Sequence, residues 1–488
     1  MDSNHRLTDF QSDALPPELQ HPEKVDAKLD KYYIGANKFE RINNRNEKMN
    51  FIPQIAFLIL MAMFVWLIAR RVKRIRSNIR LGKDLALTPD PQRWQNLLLI
   101  AFGQKKMFKK WIPAVLHLFI YVGFILINIE VLEIVLDGLF GTHRLFAPLL
   151  GSMYPMLISF FEILAVLVLF SCIVFLIRRN VLGVVRFKKP EMKGWPALDG
   201  NLILIIESVL MFAILTMNAA DLILQSRGVD HYVLTGDFLV SSQMINWYDG
   251  LSDSGLLILE RVAWWFHIAG IFAFALYVTY SKHLHIFMAF PNTYYGRLSP
   301  KGEMKNMDEV TNEVKIMLGM PVEGDQAPPP EGFRFGAKDV TDLSWKNIMD
   351  AYACTECGRC TAECPANLTG KKLSPRKIMM DTRDRAEEIG QLKAEGRTEE
   401  IQSKSLLGDY LTKEEINACT SCNACVEACP VTINPLDIIL EMRRYVAMEE
   451  SGSPAAWNAM FQNVETNFAP WKFSAQDRFS WAQDLNQS

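Results

Sequence analysis

Cys354-Thr-Glu-Cys357-Gly-Arg-Cys360-Thr-Ala-Glu-Cys364-Pro365 is followed later in the chain by Cys419-Thr-Ser-Cys422-Asn-Ala-Cys425-Val-Glu-Ala-Cys429-Pro430. Both copies read C-x2-C-x2-C-x3-C-P, the run that binds [4Fe–4S] clusters. Three closely spaced thiolates wrap three corners of a cubane, and the proline directs the fourth cysteine away. Structural zinc uses two separate C-x2-C knuckles, four ligands in all, so a triple knuckle repeated with its proline points to iron and sulfur. In two-cluster ferredoxins the fourth cysteine crosses to the other cluster. One cluster is therefore assigned to Cys354, Cys357, Cys360 and Cys429, and the other to Cys419, Cys422, Cys425 and Cys364. Every corner then has a sulfur, which leaves no open catalytic iron and no catalytic residue to assign.

Working outward, the stretch from Cys364 to Cys419 is too long for the compact hairpin ferredoxin. Ser374–Lys404 is charged and helical in character. Ser374-Pro375 places an N-cap before a proline at the first helical position, and Asn434-Pro435 repeats this after the second motif. Thr412-Lys-Glu-Glu415 is a capping box opening a helix that runs toward Cys419. The spacing predicts an α-helical two-cluster ferredoxin over 340–450. A linker precedes it over 291–339, its stretch 319–336 stiffened by Pro328, Pro329 and Pro330. The tail 451–488 is dense in aromatics: Trp457, Phe461, Phe468, Trp471, Phe473, Phe479 and Trp481. Two readings of the tail stay open, a docking segment for a partner or a wrap around its own domain.

Upstream the composition changes. The chain of 488 residues is 50% hydrophobic, and the apolar runs all precede residue 290. They are Phe51–Ala69, Trp111–Leu136, Met153–Ile177, Leu202–Leu224 and Leu256–Tyr280. Each is long enough for a hydrocarbon core of about 30 Å at about 1.5 Å per residue, and soluble helices seldom stay apolar on every face for so long. The expected fold is all-α, a five-helix transmembrane bundle over 51–290 followed by the iron–sulfur domain. A polar tail, 1–50, comes first, and no signal peptide is visible in it. The net charge of −2 argues against nucleic acid as a partner. Eight of the nine cysteines lie in the two motifs. The ninth, Cys172, sits mid-span and reads as a small buried apolar residue.

Basic residues set the orientation. Arg70, Arg71, Lys73, Arg74, Arg76, Arg80, Lys83 and Arg93 follow the first span, and Lys105, Lys106, Lys109 and Lys110 precede the second. Arg178, Arg179, Arg186, Lys188, Lys189 and Lys193 follow the third, whereas the loops after spans two and four carry Arg144 and Arg227. The positive-inside rule makes the basic loops cytoplasmic. The expectation is a multi-pass protein of the bacterial plasma (inner) membrane, with the N-terminus outside and the iron–sulfur domain in the cytoplasm. Residues 92–103 are too short to span and read as an interfacial or cytoplasmic helix.

Ionisable residues in a bilayer are functional candidates by default. His117, His267, His283 and His285 lie in or beside spans. A bis-histidine haem needs two imidazoles facing each other from different helices. His117 and His285 lie at comparable depth near the cytoplasmic side. His267 and His285 are eighteen residues apart, five turns of one helix, and share a face if the helix is unbroken. His283 then points away.

With these residues in view, 100–290 resembles the cytochrome b subunit of respiratory nitrate reductase, best at Phe266-His267 through Ser281-Lys282-His283-Leu284-His285-Ile286. In that family the second and fifth spans each give two haem ligands. His117 matches one second-span position, while Ile127 stands at the other. The resemblance implies one haem b held by His117 and His285. It leaves His267 as a further ligand position, with His143 as a substitute partner. Residues 340–450 resemble the iron–sulfur subunits of heterodisulfide reductase and anaerobic glycerol-3-phosphate dehydrogenase. Fusions of the two modules occur as membrane iron–sulfur oxidoreductases, including electron-transfer-flavoprotein:menaquinone types, often with cysteine-rich catalytic domains that residues 451–488 do not supply.

The reading is an electron-transfer subunit of a quinone-linked oxidoreductase complex. It passes electrons between a soluble redox partner and the (mena)quinone pool through two [4Fe–4S] clusters and haem b. The expected partner is a separate cysteine-rich catalytic subunit or an electron-transfer flavoprotein. The alternatives are a complete membrane oxidoreductase, a disulfide reductase or dehydrogenase with its own substrate site, and an iron–sulfur membrane anchor without haem. Against the first alternative, the cytoplasmic half has no spare cysteine pair and no G-x-G-x-x-G fingerprint.

Overall fold

The computed structural model describes residues 51–300, 302–322, 334–472, 474, 477–483 and 485. The polar tail 1–50, the proline run at 328–330 and Phe473 lie outside them. Contacts divide the chain into residues 1–57 and 58–488. The first unit contributes the opening turns of the first helix, and the architecture below is that of the second.

Five helices are long and apolar enough to cross a membrane. They are α1 (Ile52–Ile79), α2 (Trp111–Phe140), α3 (Tyr154–Asn180), α4 (Trp195–Ser226) and α5 (Asp253–Val278). Each overlaps one of the predicted runs: α2 and α4 contain theirs whole, α1 and α3 begin one residue inside theirs, and α5 ends two residues short of Tyr280. Helix α4 is the hub, packed on α3 and α5, while α2 packs on α3. Gly123 lets α2 and α3 approach: a Cβ there would lie 2.5 Å from Val168 Cγ2.

Helix α1 runs ten residues beyond Ala69 because arginine and lysine are good helix formers and because the extension has partners. Arg71 grips Glu387 with two bonds of 2.8 Å, and Asn78 donates to the Tyr352 hydroxyl at 2.9 Å. The stretch read as the start of a basic loop is therefore helix. Arg144, read as a lone loop cation, is buried instead. It bonds Asp221 at 2.9 Å and Asn218 at 2.7 Å, among the buried carboxylates Glu130, Glu133, Asp137 and Glu162. The pairing offsets the cost of burying these charges.

The fifth helix stops at Val278, which corrects the five-turn argument. Asp199 at the start of α4 accepts from the Tyr277 hydroxyl at 2.5 Å, the Ser281 hydroxyl at 2.6 Å and the Lys282 N–H at 3.1 Å. These bonds hold residues 279–284 in a turn, and α6 (His285–Tyr294) begins afresh. His267 and His285 therefore do not share one helix face.

The remainder is helical as well, with no strand among the described residues beyond isolated bridges. It comprises α7 (Trp345–Tyr352), α8 (Arg359–Ala362), α9 (Pro375–Ala394), α10 (Lys413–Asn417), α11 (Ala424–Ala428), α12 (Pro435–Met448) and α13 (Ala455–Asn467). Ser374 and Asn434 cap α9 and α12, each before a proline at the first helical position. Thr412 and Glu415 form the capping box of α10, which ends before Cys419. Helix α9 packs on α7 and α12 over a core including Ile348, Ile378, Ile389, Ile416, Ile438 and Met442. The described aromatics of the tail are exposed: Phe468 is 83% exposed, Trp471 70% and Trp481 66%.

Candidate cofactor sites

The two cysteine motifs fold alike. Glu356 and Ser421 both have left-handed backbone, φ 54° and 55°. That turns each N–H back onto the preceding thiol: Glu356 N donates to Cys354 Sγ and Ser421 N to Cys419 Sγ, both at 3.4 Å. Gly358 and Asn423 are left-handed too, and each opens a short helix, α8 or α11, that carries the third cysteine. The two short helices pack on each other, so each fourth cysteine is carried toward the other motif.

The electrostatic neighbours follow that crossing. Cys360 feels Cys354, Cys357 and Cys429, and more weakly Cys425. Cys425 feels Cys419, Cys364 and Cys422. Burial pushes the Cys354 and Cys425 thiols up to about 12, with neighbouring thiols adding to it. Bare thiolates crowded in this way need a cationic centre, which iron supplies. All eight are free of disulfides. Among the described residues no three His, Cys, Asp or Glu side chains converge on a point suited to one metal ion. Four thiols spread over the corners of a cubane have no need to.

The surroundings of the two sets differ. Cys422 is exposed, Arg443 acts on Cys419, and Lys106 donates to Val426 O beside Cys425 at 3.2 Å. The set of Cys354, Cys357, Cys360 and Cys429 lies against the end of the apolar helices that carries the basic segments. Arg376 is fully buried there, and a Cβ on Gly358 would fall 2.4 Å from its Nη1, so the glycine of this motif makes room for the guanidinium. Arg376 donates to Arg186 O and to Glu191, both at 2.7 Å. Lys109 pairs with Glu427, and Lys110 with Glu363 at 3.0 Å.

Lys282 and Glu356 were missed in the sequence. Their Nζ and Oε2 lie 2.5 Å apart, with both side chains over 90% buried. Arg383 holds the other carboxylate oxygen at 2.8 Å. Burial pushes the Glu356 carboxyl up, but Arg383 and Lys282 outweigh it and hold it below the usual range. Glu356 lies between the first two motif cysteines, and Lys282 lies three residues before His285. The pair ties the cysteine motif to the histidine segment. Their sequence separation hides the link.

His117 and His285 face each other with ring centres 6.4 Å apart. A metal bonded at about 2 Å to each of two imidazoles sets their centres about 6 Å apart, so the pair has the spacing of a bis-histidine site. His285 Nδ1 lies 3.2 Å from Lys282 O, the outer contact that fixes a ligating imidazole. His283 pairs with Glu207 at 3.2 Å, not with His117. Cys172 is buried as expected, and its thiol also reaches Glu207, at 3.2 Å. His267 is fully buried. Its Nδ1 meets Leu210 O at 3.0 Å, and its Nε2 has no partner. A carbonyl only accepts, so Nδ1 carries the proton and Nε2 presents a lone pair. Ile127 is buried in the packing of α2 and α3. His143 is held by Asp221 at 3.0 Å.

Residues 353–433 match the 4Fe-4S dicluster domain family. The chain is 28% identical over 460 residues to the probable iron–sulfur-binding oxidoreductase FadF of Bacillus subtilis, covering 88% of this chain and 61% of that protein. It is 27% identical over 449 residues to the EtfAB:quinone oxidoreductase of Syntrophomonas wolfei, covering 86% of this chain and 56% of that protein. A probable membrane-anchored ferredoxin of Chromohalobacter salexigens is 30% identical over 166 residues, 31% of this chain and 24% of that protein. No solved structure matches. The chain spans between 56% and 61% of the length of the first two relatives, and these relatives are iron–sulfur oxidoreductases and ferredoxins.

Proposed function

We propose that the chain is a membrane-anchored electron-transfer subunit that passes electrons between a soluble redox partner and a membrane quinone. When bound, two [4Fe–4S] clusters and a haem b supply one-electron carriers suited to a two-electron quinone. Cys354, Cys357, Cys360 and Cys429 hold one cluster, Cys419, Cys422, Cys425 and Cys364 the other, and His117 with His285 the haem. Lys282 and Glu356 keep the haem end and the adjacent cysteine set in fixed register. The apolar helices exclude water from the imidazole pair, and the cysteine-bearing half lies in the cytoplasm with the basic loops.

The observation that carries this reading is the facing His117–His285 pair joined to the cysteine motif through Lys282 and Glu356. The dicluster match supports the iron–sulfur part, and the likeness to the Syntrophomonas EtfAB:quinone oxidoreductase supports a quinone as acceptor and an electron-transfer flavoprotein as partner. The test is composition: about eight iron atoms and one haem b per purified chain, the haem read by pyridine haemochrome and a reduced-minus-oxidised spectrum. A chain with iron and sulfide but no haem is the anchor alternative and removes the quinone link proposed here.

A further inference from the structure

The two cysteine sets are alike in backbone and unlike in charge. Arg186, Arg359, Arg376, Arg383 and Lys282 gather around Cys354, Cys357, Cys360 and Cys429, while Lys106 lies between the sets, donating to Val426 O beside Cys425 at 3.2 Å. Arg186 acts on Cys357, Arg383 on Cys354 and Lys106 on Cys429. Glu191 pairs with Arg376, Glu356 with Lys282 and Arg383, Asp384 with Arg383, and Asp199 with Lys282. Arg186 and Arg376 each keep a buried Nε without a partner. Burial, with Arg178, Arg359 and Arg376 nearby, lowers the affinity of Arg186 for its proton, and Cys357 is the neighbour that acts against this. The other set has Arg443, already committed to the carbonyls of Ile416, Asn417 and Cys419, and an exposed Cys422.

Potentials of iron–sulfur clusters are set by net charge, hydrogen bonds and solvent exposure. A reduced cluster carries one more negative charge than its oxidised form. Uncompensated buried cations and N–H donors stabilise that charge most where water does not screen it.

We propose that the fixed cations around one cysteine set order the potentials of the two clusters. The cluster of Cys354, Cys357, Cys360 and Cys429 has the higher midpoint potential and exchanges electrons with the His117–His285 site, while the cluster at Cys422 is the port for the soluble partner. This rests on the two-cluster and haem reading above. One electron leaves the exposed cluster, which is oxidised, and reduces the buried one; no bond or proton moves. Two such transfers, with two protons, reduce a quinone. The difference in potential between the two clusters comes from fixed arginines.

The experiment is an anaerobic redox titration of the full purified chain by EPR. Cys422→Ser identifies the signal of the exposed cluster. The buried cluster is expected to reduce first in the wild type. Arg186→Gln is expected to lower the potential of that cluster alone, and Arg186→Lys to restore most of the shift. An exposed cluster that reduces first overturns the proposal, as does an Arg186→Gln shift of equal size in both signals. The wild-type order decides the matter even if Arg186→Gln fails to fold. A chain lacking either cluster or the haem by composition fails the underlying reading instead, so the two failures are told apart.

Discussion

Cys354–Pro365 and Cys419–Pro430 share spacing, left-handed turns, N–H to sulfur bonds, short helices and proline-led flanking helices, yet they sit in opposite surroundings. One carries Gly358 because a buried Arg376 presses on it; the other carries Asn423 at the same place. One has Glu356 locked to Lys282 and Arg383; the other has Ser421, whose N–H does the local work. Cysteine spacing sets the local fold, which is the same twice. What lies beyond the motif differs: the first is tied through Glu356 and Lys282 to the histidine segment, and the second carries the exposed Cys422.

The comparison breaks first at the cysteines. Cys357→Ser and Cys429→Ser are expected to alter the same EPR signal, and Cys364→Ser and Cys422→Ser the other one. If Cys429→Ser instead changes the signal that responds to Cys422→Ser, ligation is not crossed. A comparably large effect is expected at the histidines. Low-spin haem is lost in His117→Ala and in His285→Ala and kept in His283→Ala, by optical spectrum. Two haems per chain point to His267, whose free Nε2 already has the posture of a ligand.

Next in size is the buried pair. Lys282→Met leaves Glu356 buried with one partner fewer, at a cost of about 3–5 kcal/mol. Ser421→Ala, at the matching place in the other motif, changes stability by about 0.5 kcal/mol or less. Denaturant unfolding followed by cluster absorbance measures both, and equal effects remove the asymmetry. The smallest expected effect is at the tail. Val446 belongs to the core and Glu450 pairs with Lys413, so truncation after Ser453 spares the domain. Clusters and haem stay and a copurifying subunit is lost. Loss of the clusters means the aromatics serve the domain itself.

Much of this was legible because it is local. The cysteine runs, the caps at Ser374, Thr412 and Asn434, and the five apolar stretches each declare themselves within a few residues. The break after Val278 was not, because Asp199, far back in the chain, pulls Tyr277, Ser281 and Lys282 out of helical register. The basic segments were read for orientation alone. Their second role, as partners of Glu387, Glu427 and Glu363, appears when the chain folds back. His117 and His285 were matched by depth; their rings lie 6.4 Å apart, with His285 on a new helix and not on a face shared with His267.

The link between the imidazole pair and quinone is tested most directly by mixing the oxidised, purified chain with menaquinol under anaerobic conditions and following absorbance. The account predicts that the reduced haem b band rises in the wild type and is absent in His117→Ala. A wild-type haem that dithionite reduces but menaquinol leaves oxidised, at every quinol-to-quinone ratio, would contradict it.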